Sequence, residues 1–422
     1  MQSRLFDDVL AKGNAVDAAA FAEGRADPAV DILAGDVSMP VAILLESRIA
    51  HNLRWMQDFV DAYGLNLAPH GKTTMAPALF RRQLDAGAWG ITVATAHQAQ
   101  VAAAHGVRRI LIANQVVGRG NLAILAGLSR DPDTTIFCLV DSAAGVEQLA
   151  AAMRDHDATI DVLLELAPAP DQGGYRTGVR DAAQQATTLA AIAAASPRVR
   201  LAGVELYEGV LADEAEIRTF LRRAVRTVGD IARNGGFART PAILSGAGSA
   251  WYDIVAEEFA RAPADPPVEI VLRPGCYLSH DAGLYRTAQD EILARNPVAA
   301  RMREGLLPAL QIWACVQSRP DPARAVVAMG KRDVAFDAGL PMPRLHFRPG
   351  RDTAPVPAPA NWTITGLMDQ HAYMSLAGDD DVRVGDLLGF DVSHPCLTFD
   401  KWRQLLVVDD AYRVRDVVKT FF

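Results

Sequence analysis

One lysine stands where an arginine could not do the same chemistry. Only five of the 42 basic residues are lysines, and Lys72 is the one lysine between residues 13 and 330. It lies in the segment PHGKTT, two residues after an apolar run that is typical of a β-strand. A lysine amine can form a Schiff base with a carbonyl compound, whereas arginine stays protonated. Base composition accounts for the scarcity of lysine, and a surface lysine is the alternative. The position nevertheless favours a covalent role for Lys72.

A second chemical group is the pair His394 and Cys396 in the segment SHPC. Imidazole and thiolate two residues apart suit a divalent metal ion, zinc above all, with manganese and magnesium as alternatives. Two protein ligands leave positions open for water and substrate, as a catalytic metal site requires. The alternative is a buried cysteine beside a surface histidine. The four cysteines lie far apart without a CxxC motif, which excludes a disulfide scaffold and a zinc ribbon.

The strands and helices that must position these side chains are predicted from a regular alternation in the sequence. From residue 41 to about 285, short apolar runs alternate with alanine-rich helical stretches. The eight runs are VAILLE (41–46), LNLAPH (65–70), GITVAT (90–95), RILIAN (109–114), TIFCLV (135–140), DVLLELA (161–167), LAGVELYEG (201–209) and PAILSG (241–246). They predict an α/β fold with a TIM-type (β/α)8 barrel, and a doubly wound open sheet is the alternative. Lys72 follows the second run, so it would lie at the mouth of the barrel.

Beyond residue 305 the pattern changes to short strands without helical stretches between them, which predicts a separate C-terminal antiparallel β domain. We therefore expect an N-terminal extension at 1–40, a barrel at 41–290 and a β domain at 300–422 that carries the metal pair. The sequence does not fix the place of the extension, and packing on the β domain is one arrangement.

Charge and hydropathy exclude several classes of protein. The net charge is −8 and no basic run is present, so nucleic acids and anionic membranes are poor partners. No stretch approaches the ~20 apolar residues that would span a bilayer. Asp7 and Asp8 stand where a signal peptide would need apolar residues. These features predict a soluble, cytoplasmic protein.

The segment around Lys72, APHGKTTMAPALFRRQLDAGAWGITVAT, resembles the cofactor-lysine segment of the D-serine dehydratase / D-threonine aldolase family. These are fold-type III pyridoxal-phosphate enzymes with an alanine-racemase-like barrel followed by a β domain. Seven further segments resemble the family in the same order along the chain. They are GGYRTGV (173–179), GVELYEG (203–209), SGAGS (245–249), RPGCY (273–277), SRPDPARAVVAMGKRDVAFDAGLP (318–341), MDQHAYM (368–374) and SHPC (393–396).

The resemblance implies a role for each of these residues. Lys72 would bind pyridoxal 5'-phosphate as a Schiff base and remove the α-proton of the substrate. Arg176 and Tyr207 would lie near the cofactor ring. Two turns rich in small residues would bind the phosphate through backbone N–H groups. The implied residues of these turns are Gly248, Ser249, Gly275, Cys276 and Tyr277.

The resemblance also implies an activity. It is that of a metal-dependent lyase that eliminates water from a D-serine- or D-threonine-like β-hydroxy D-amino acid, giving a 2-oxo acid and ammonia. The HxC pattern of His394 and Cys396 marks the dehydratase branch, whereas the aldolases have aspartate at the second position. Retro-aldol cleavage to glycine and an aldehyde is the main alternative, and a racemase, a decarboxylase or a non-catalytic pyridoxal-phosphate carrier stays open. A homodimer is implied, in which one subunit's β domain covers the other's barrel mouth.

The chain departs from the family pattern near the expected substrate pocket. Thr74 and Met75 stand where the family usually has His-Lys, and Gln370 replaces an acidic residue. The substrate side chain therefore stays open. Gln115 and Asp281 are pocket candidates by position alone. His371 resembles a family histidine that lies near the metal without binding it.

Overall fold

The computed structural model describes residues 11–13, 30–172, 176–262 and 265–422. Strand β1 (Val41–Leu45) precedes eight short strands, which are β2 (Asn66–Leu67), β3 (Ile91–Val93), β4 (Arg109–Gln115), β5 (Thr135–Val140), β6 (Ile160–Leu166), β7 (Val199–Leu206), β8 (Ala242–Gly246) and β9 (Val268–Leu272). The helices are α1 (Glu46–Ala62), α2 (Pro77–Asp85), α3 (Ala96–Ala104), α4 (Arg119–Ser129), α5 (Ala143–Asp155), α6 (Ala182–Ala195), α7 (Glu214–Arg233), α8 (Tyr252–Phe259), α9 (Leu284–Arg295) and α10 (Pro297–Met302). Within the described ranges, no helix is both long and apolar enough to cross a membrane.

The strands β2 to β9 are parallel and close into a barrel. They pair in the order β2-β9-β8-β7-β6-β5-β4-β3. Backbone hydrogen bonds between the segments around β2 and β3 close the barrel. The amide of Trp89 donates to the carbonyl of Leu67 at 2.7 Å, and the amide of Thr92 donates to the carbonyl of Pro69 at 2.9 Å. Buried side chains such as Phe137 fill the interior. The predicted barrel is confirmed, and this closure excludes the open sheet.

The C-terminal part forms a second β domain. Its strands are β10 (Leu310–Asp321), β11 (Arg324–Val327), β12 (Met342–Phe347), β13 (Val356–Pro357), β14 (Thr363–Leu367), β15 (Ala372–Ser375), β16 (Leu387–Asp391), β17 (Gln404–Val408) and β18 (Val414–Lys419). The short helix α11 (Cys396–Phe399) lies between β16 and β17. The main sheet has the order β13-β12-β16-β10-β1-β17-β18, and β11, β15 and β14 continue from β10. The predicted C-terminal β domain is confirmed.

The first run that was predicted as a barrel strand belongs to this second sheet. β1 pairs antiparallel with β10 and parallel with β17. The eighth barrel strand is instead β9, the apolar run that follows the eighth predicted one. All five residues of β1 are buried. A strand buried on both faces has the same continuous apolar pattern in either sheet, so periodicity could not assign it.

The described part of the N-terminal extension packs on the β domain. Asp31 forms an antiparallel bridge with Arg413, and the amide of Ile32 donates to the carbonyl of Tyr412 at 3.3 Å. The side chain of Ile32 is buried in one apolar cluster with Trp313. These contacts anchor residues 30–40 beside β1 and β18.

Gly203 sets how closely β7 and β8 approach. A Cβ at this position would lie 2.1 Å from the carbonyl oxygen of Ile243, in the paired strand. We expect Gly203→Ala to lower the free energy of unfolding by about 1–3 kcal/mol, because the strand pair must move apart. Gly127→Ala in α4, where nothing lies within 4 Å, is the matched control and should raise stability by ~1 kcal/mol or less. Urea denaturation measures both variants, and equal stabilities would contradict this contact.

Candidate active site

A cavity of about 180 Å³ lies at the carboxyl ends of the barrel strands, where the β domain meets the barrel. Nine of the ten site residues predicted from the sequence line it: Lys72, Arg176, Tyr207, Gly248, Ser249, Gly275, Cys276, His394 and Cys396. The side chain of the tenth, Tyr277, is not among the lining residues. The fold therefore brings the lysine, both small-residue turns and the imidazole–thiol pair to one place.

Lys72 is presented by a single tight turn. The turn Gly71–Thr73 is a 3₁₀ helix that follows β2. Gly71 is required there, because a Cβ would lie 2.7 Å from the ring of Phe80 and 2.8 Å from Ile91. Among the described residues, the Lys72 side chain has neither an ion pair nor a hydrogen bond. Its amine is therefore available to a ligand in the cavity.

The two small-residue turns are packed too closely to accept a side chain. At Gly275 a Cβ would lie 2.6 Å from the Cβ of His70, and at Gly248 it would lie 2.9 Å from the ring of Tyr207. Ala247, just before the second of these glycines, has φ of 83°. Glycine at both positions is therefore required by the packing of the turns against these two side chains.

Two backbone N–H groups of these turns donate to nearby side-chain oxygens. The N–H of Gly248 donates to Oε1 of Glu208 at 2.7 Å, and the N–H of Cys276 donates to Oγ of Ser249 at 3.2 Å. Glu208 is fully buried, and this burial raises the pKa of its carboxyl group. The Ser249 hydroxyl thus links the turn after β8 to the turn after β9.

Sequence reasoning missed a buried charged network in the wall of the cavity. Arg273 is 2% exposed. Its guanidinium binds the carboxylate of Glu205, donates to the carbonyl of Leu206 at 3.0 Å and lies 3.2 Å from Nε2 of His70. Arg273 and Glu205 stand inside two of the recognised segments, RPGCY and GVELYEG. The spacing of these two residues in the sequence did not identify them, because their pairing depends on β7 and β9 lying on either side of β8.

Burial controls the charge of this network. It lowers the pKa of His70 well below the usual value, with a further contribution from the Arg273 charge, so the imidazole is neutral. Burial raises the pKa of Glu205 to about 8, against the opposing effect of Arg273. Three buried atoms of this network have no hydrogen-bond partner among the described residues: Nδ1 of His70, Oε2 of Glu205 and Nε of Arg273. Unpaired buried polar atoms are costly, so they indicate a polar ligand that completes them.

Arg176 and Tyr207 lie together at the cavity wall. The guanidinium of Arg176 stands 4.9 Å above the ring of Tyr207. Residues 173–175 of the predicted arginine segment lie outside the described residues. Gln115 binds the carboxylate of Glu165 and does not itself line the cavity, whereas Glu165 does.

The imidazole–thiol pair comes from the start of α11 and reaches the barrel. Sγ of Cys396 lies 3.4 Å from Oγ1 of Thr73 and 3.7 Å from Sγ of Cys276. Nδ1 of His394 lies 2.7 Å from Oδ2 of Asp337. The pair is therefore held by both domains, beside the turn that carries the lysine.

The two groups of the pair shift each other's charge. The contact with Cys396 and the Asp337 carboxylate raise the pKa of His394 to about 9, although burial opposes them. Hydrogen bonds with Cys276, His394 and Thr73 lower the pKa of Cys396, although burial opposes them. Both shifts favour a protonated imidazole beside a deprotonated thiol. In the described ranges, no three His, Cys, Asp or Glu side chains already form a metal-binding group.

Three further candidates have other contacts. The Tyr277 hydroxyl is buried and accepts a hydrogen bond from Gln83 in α2 at 3.2 Å, because its ring packs away from the cavity among apolar side chains. Oδ1 of Asp281 accepts hydrogen bonds from the backbone amides of Gly283, Tyr285 and Arg286. These bonds stabilise the start of α9. His371 is exposed and does not line the cavity. By contrast, Tyr285 lines it without having been predicted.

Comparison with known proteins places this site in a family. Residues 46–262 match the alanine racemase N-terminal domain, and residues 309–408 match the serine dehydratase domain. The D-threonine aldolase of Arthrobacter sp. is 28% identical over 382 residues, which are 89% of this chain and 90% of that protein. The D-threo-3-hydroxyaspartate dehydratase of Delftia sp. is 33% identical over 140 residues, 33% of this chain and 35% of that protein.

A solved structure agrees with these matches. The D-threonine aldolase from Filomicrobium marinum has a TM-score of 0.75 at 26% identity, and the alignment covers 93% of this chain and 98% of that chain. The proteins named are aldolases and a dehydratase, which are lyases. The alanine racemase match alone covers more than half of the chain. The predicted family is confirmed: the chain belongs to the fold-type III pyridoxal-phosphate enzymes and combines an alanine racemase N-terminal domain with a serine dehydratase domain.

Proposed function

We propose that this protein is a pyridoxal-phosphate- and metal-dependent lyase that eliminates water from a β-hydroxy D-amino acid. The products are a 2-oxo acid and ammonia. One observation carries the proposal: Lys72 and the His394–Cys396 pair line the same cavity of about 180 Å³. A small amino acid bound there would contact a basic amine and a metal-binding pair together. In the proposed reaction the amine takes the α-proton, and the pair holds the cation that assists loss of the β-hydroxyl group.

The residues present fit the cofactor. Lys72 would hold it covalently, and the turns at Gly248–Ser249 and Gly275–Cys276 would take its phosphate. The amides of Ser249 and Gly275 would donate to it, since those of Gly248 and Cys276 already donate to Glu208 and Ser249. The unpaired buried atoms of His70, Glu205 and Arg273 support a polar ring group in this cavity. When bound, pyridoxal phosphate supplies an electron sink for negative charge at Cα of the substrate.

The residues of the pair fit a divalent cation, with zinc preferred and manganese or magnesium as alternatives. Metal-binding histidines usually donate their second ring N–H to a carboxylate, and His394 has this contact with Asp337 at 2.7 Å. When bound, such a cation supplies a Lewis acid for the β-oxygen.

The chain's own groups then have distinct tasks. Lys72 takes the proton from Cα, for which its amine must be neutral. The buried network of Arg273, Glu205 and His70 holds the cavity wall in one arrangement. We propose a homodimer in which a partner's β domain covers the mouth. Phe336 and Leu397, which are 45% and 39% exposed beside the pair, support such a covering surface.

Retro-aldol cleavage of the same class of substrate is the second candidate. The relative that matches 89% of this chain is a D-threonine aldolase, which favours it. The thiol of Cys396 favours elimination, because the resemblance places aspartate at this position in the aldolases. Both reactions use the same base and the same cation, so the fold alone does not separate them.

Product analysis separates the two reactions. Purified protein with pyridoxal phosphate and zinc is incubated with D-serine, D-threonine and 3-hydroxy-D-aspartate, with the L-isomers as matched controls. We expect ammonia and a 2-oxo acid in equal amounts from at least one D-isomer. Glycine and an aldehyde without ammonia would contradict the dehydratase proposal and support the aldolase.

Asp337→Asn tests the carboxylate behind the imidazole. Loss of this acceptor should weaken zinc binding by about 10–100-fold, because the carboxylate fixes the ring orientation and strengthens the ligand. Equilibrium dialysis against a zinc chelator measures the affinity. Asp352→Asn is the control, because this carboxylate binds Arg351 and does not line the cavity. An unchanged zinc affinity in Asp337→Asn would show that this contact does not support a metal site.

A further inference from the structure

Two cysteine side chains from different domains meet in the cavity. Cys276 follows β9 in the barrel, and Cys396 begins α11 in the β domain. Their sulfur atoms lie 3.7 Å apart, although 120 residues separate them in the sequence. Cys276 is 4% exposed. The sequence predicted Cys276 for the phosphate turn through its backbone, and nothing assigned its thiol a function.

The distance between the sulfurs matches a particular chemistry. A disulfide bond would require about 2.05 Å. A tetrahedral zinc ion with Zn–S bonds of about 2.3 Å holds two thiolate sulfurs roughly 3.8 Å apart. A hydrogen bond between the two thiols gives a similar distance, so a measurement must separate these two explanations.

We propose that Cys276 is a third protein ligand of the divalent cation held by His394 and Cys396. The proposal rests on the metal site of the proposed function and changes its ligand set from two residues to three. Three protein ligands with one open position are the usual arrangement of a catalytic zinc site. The two sulfurs already lie 3.7 Å apart. The His394 imidazole must still move to complete the set, because no group of three donors is complete in the described ranges.

A ligand set with two thiolates has consequences for the metal and for the fold. Thiolates select zinc or cobalt(II) over magnesium and manganese, which prefer oxygen ligands. One ligand would come from the barrel and two from the β domain. The bound ion would therefore join the two domains directly beside Lys72, and the open position would face the cavity that both line.

Cobalt(II) substitution tests the proposal on the whole protein. The metal is removed from the holoprotein and replaced by cobalt(II), and the thiolate-to-cobalt charge-transfer absorbance is measured per bound ion. We expect the intensity of two thiolate ligands in the wild type and about half of it in Cys276→Ser. Zinc affinity of Cys276→Ser should fall at least about tenfold. Cys315→Ser, in β10 and away from the cavity, is the matched control and should behave as the wild type.

The outcomes distinguish this proposal from the proposed function. If the charge-transfer absorbance of the wild-type protein corresponds to one thiolate, Cys276 is not a ligand. This result does not depend on whether Cys276→Ser folds. Unchanged cobalt absorbance and zinc affinity in a folded Cys276→Ser would overturn it as well. If Cys276→Ser is unchanged and His394→Ala loses the metal, the third ligand is wrong and the metal site of the proposed function is still supported. A wild-type protein that binds neither zinc nor cobalt would overturn both.

Discussion

Replacing Lys72 by alanine should remove the visible absorbance of bound pyridoxal phosphate and lower kcat/KM by at least about 10³-fold. The variant loses both the covalent attachment of the cofactor and the base that takes the α-proton. The amine has no partner among the described residues, so its loss should leave the fold intact. Absorbance after gel filtration and product formation under saturating cofactor measure the two effects.

Lys331→Ala is the matched control, because its amine lies on the surface 5.5 Å from the ring of Phe336. This variant should keep the absorbance and the activity. A Lys72→Ala protein that retains the absorbance band through gel filtration would place the covalent attachment on another of the five lysines.

The second large effect is expected from His394→Ala and Cys396→Ala. Each should remove the divalent cation and lower turnover by at least about 100-fold, equivalent to ~3 kcal/mol of transition-state stabilisation. The absorbance of the bound cofactor should persist, since its attachment depends on the barrel. Metal analysis by mass spectrometry and steady-state kinetics measure both effects.

His371→Ala is the control for these variants, because this histidine is exposed and does not line the cavity. It should keep both the metal and the turnover. Full turnover in His394→Ala after treatment with a chelator would show that the reaction needs no metal and depends on Lys72 and the cofactor.

The barrel could be predicted because each strand repeats one local pattern. Short apolar runs and alanine-rich helices alternate from residue 65 onward, and the structure places those strands side by side. β1 could not be assigned in the same way. Its five buried residues suit either sheet, and its partners β10 and β17 come from the end of the chain.

The site residues could be predicted where a short segment by itself determines their position in the fold. The lysine turn and the two small-residue turns keep their positions because each follows directly after a strand or apolar run. Arg273 and Glu205 could not be found, since their pairing joins β7 to the end of β9 over the intervening strand β8. The spacing within RPGCY did not show that the Tyr277 ring turns to Gln83 rather than to the cavity.

The difference between elimination and retro-aldol cleavage depends on a single proton. If the group at the β-oxygen donates a proton, the hydroxyl leaves as water. If that group accepts a proton, the Cα–Cβ bond breaks. The residues that line the cavity are the same for either reaction, so their positions do not identify which one occurs. This is why product analysis is more informative than further comparison of folds.

X-ray diffraction at the zinc absorption edge tests the central claim most directly. Crystals of the holoprotein with zinc would locate the metal by its anomalous signal and the cofactor by its electron density in the same experiment. We predict an anomalous peak bonded to His394 and Cys396 and electron density continuous from Lys72 into the same cavity. An anomalous peak elsewhere in the protein, or a Lys72 side chain without attached density, would contradict this account.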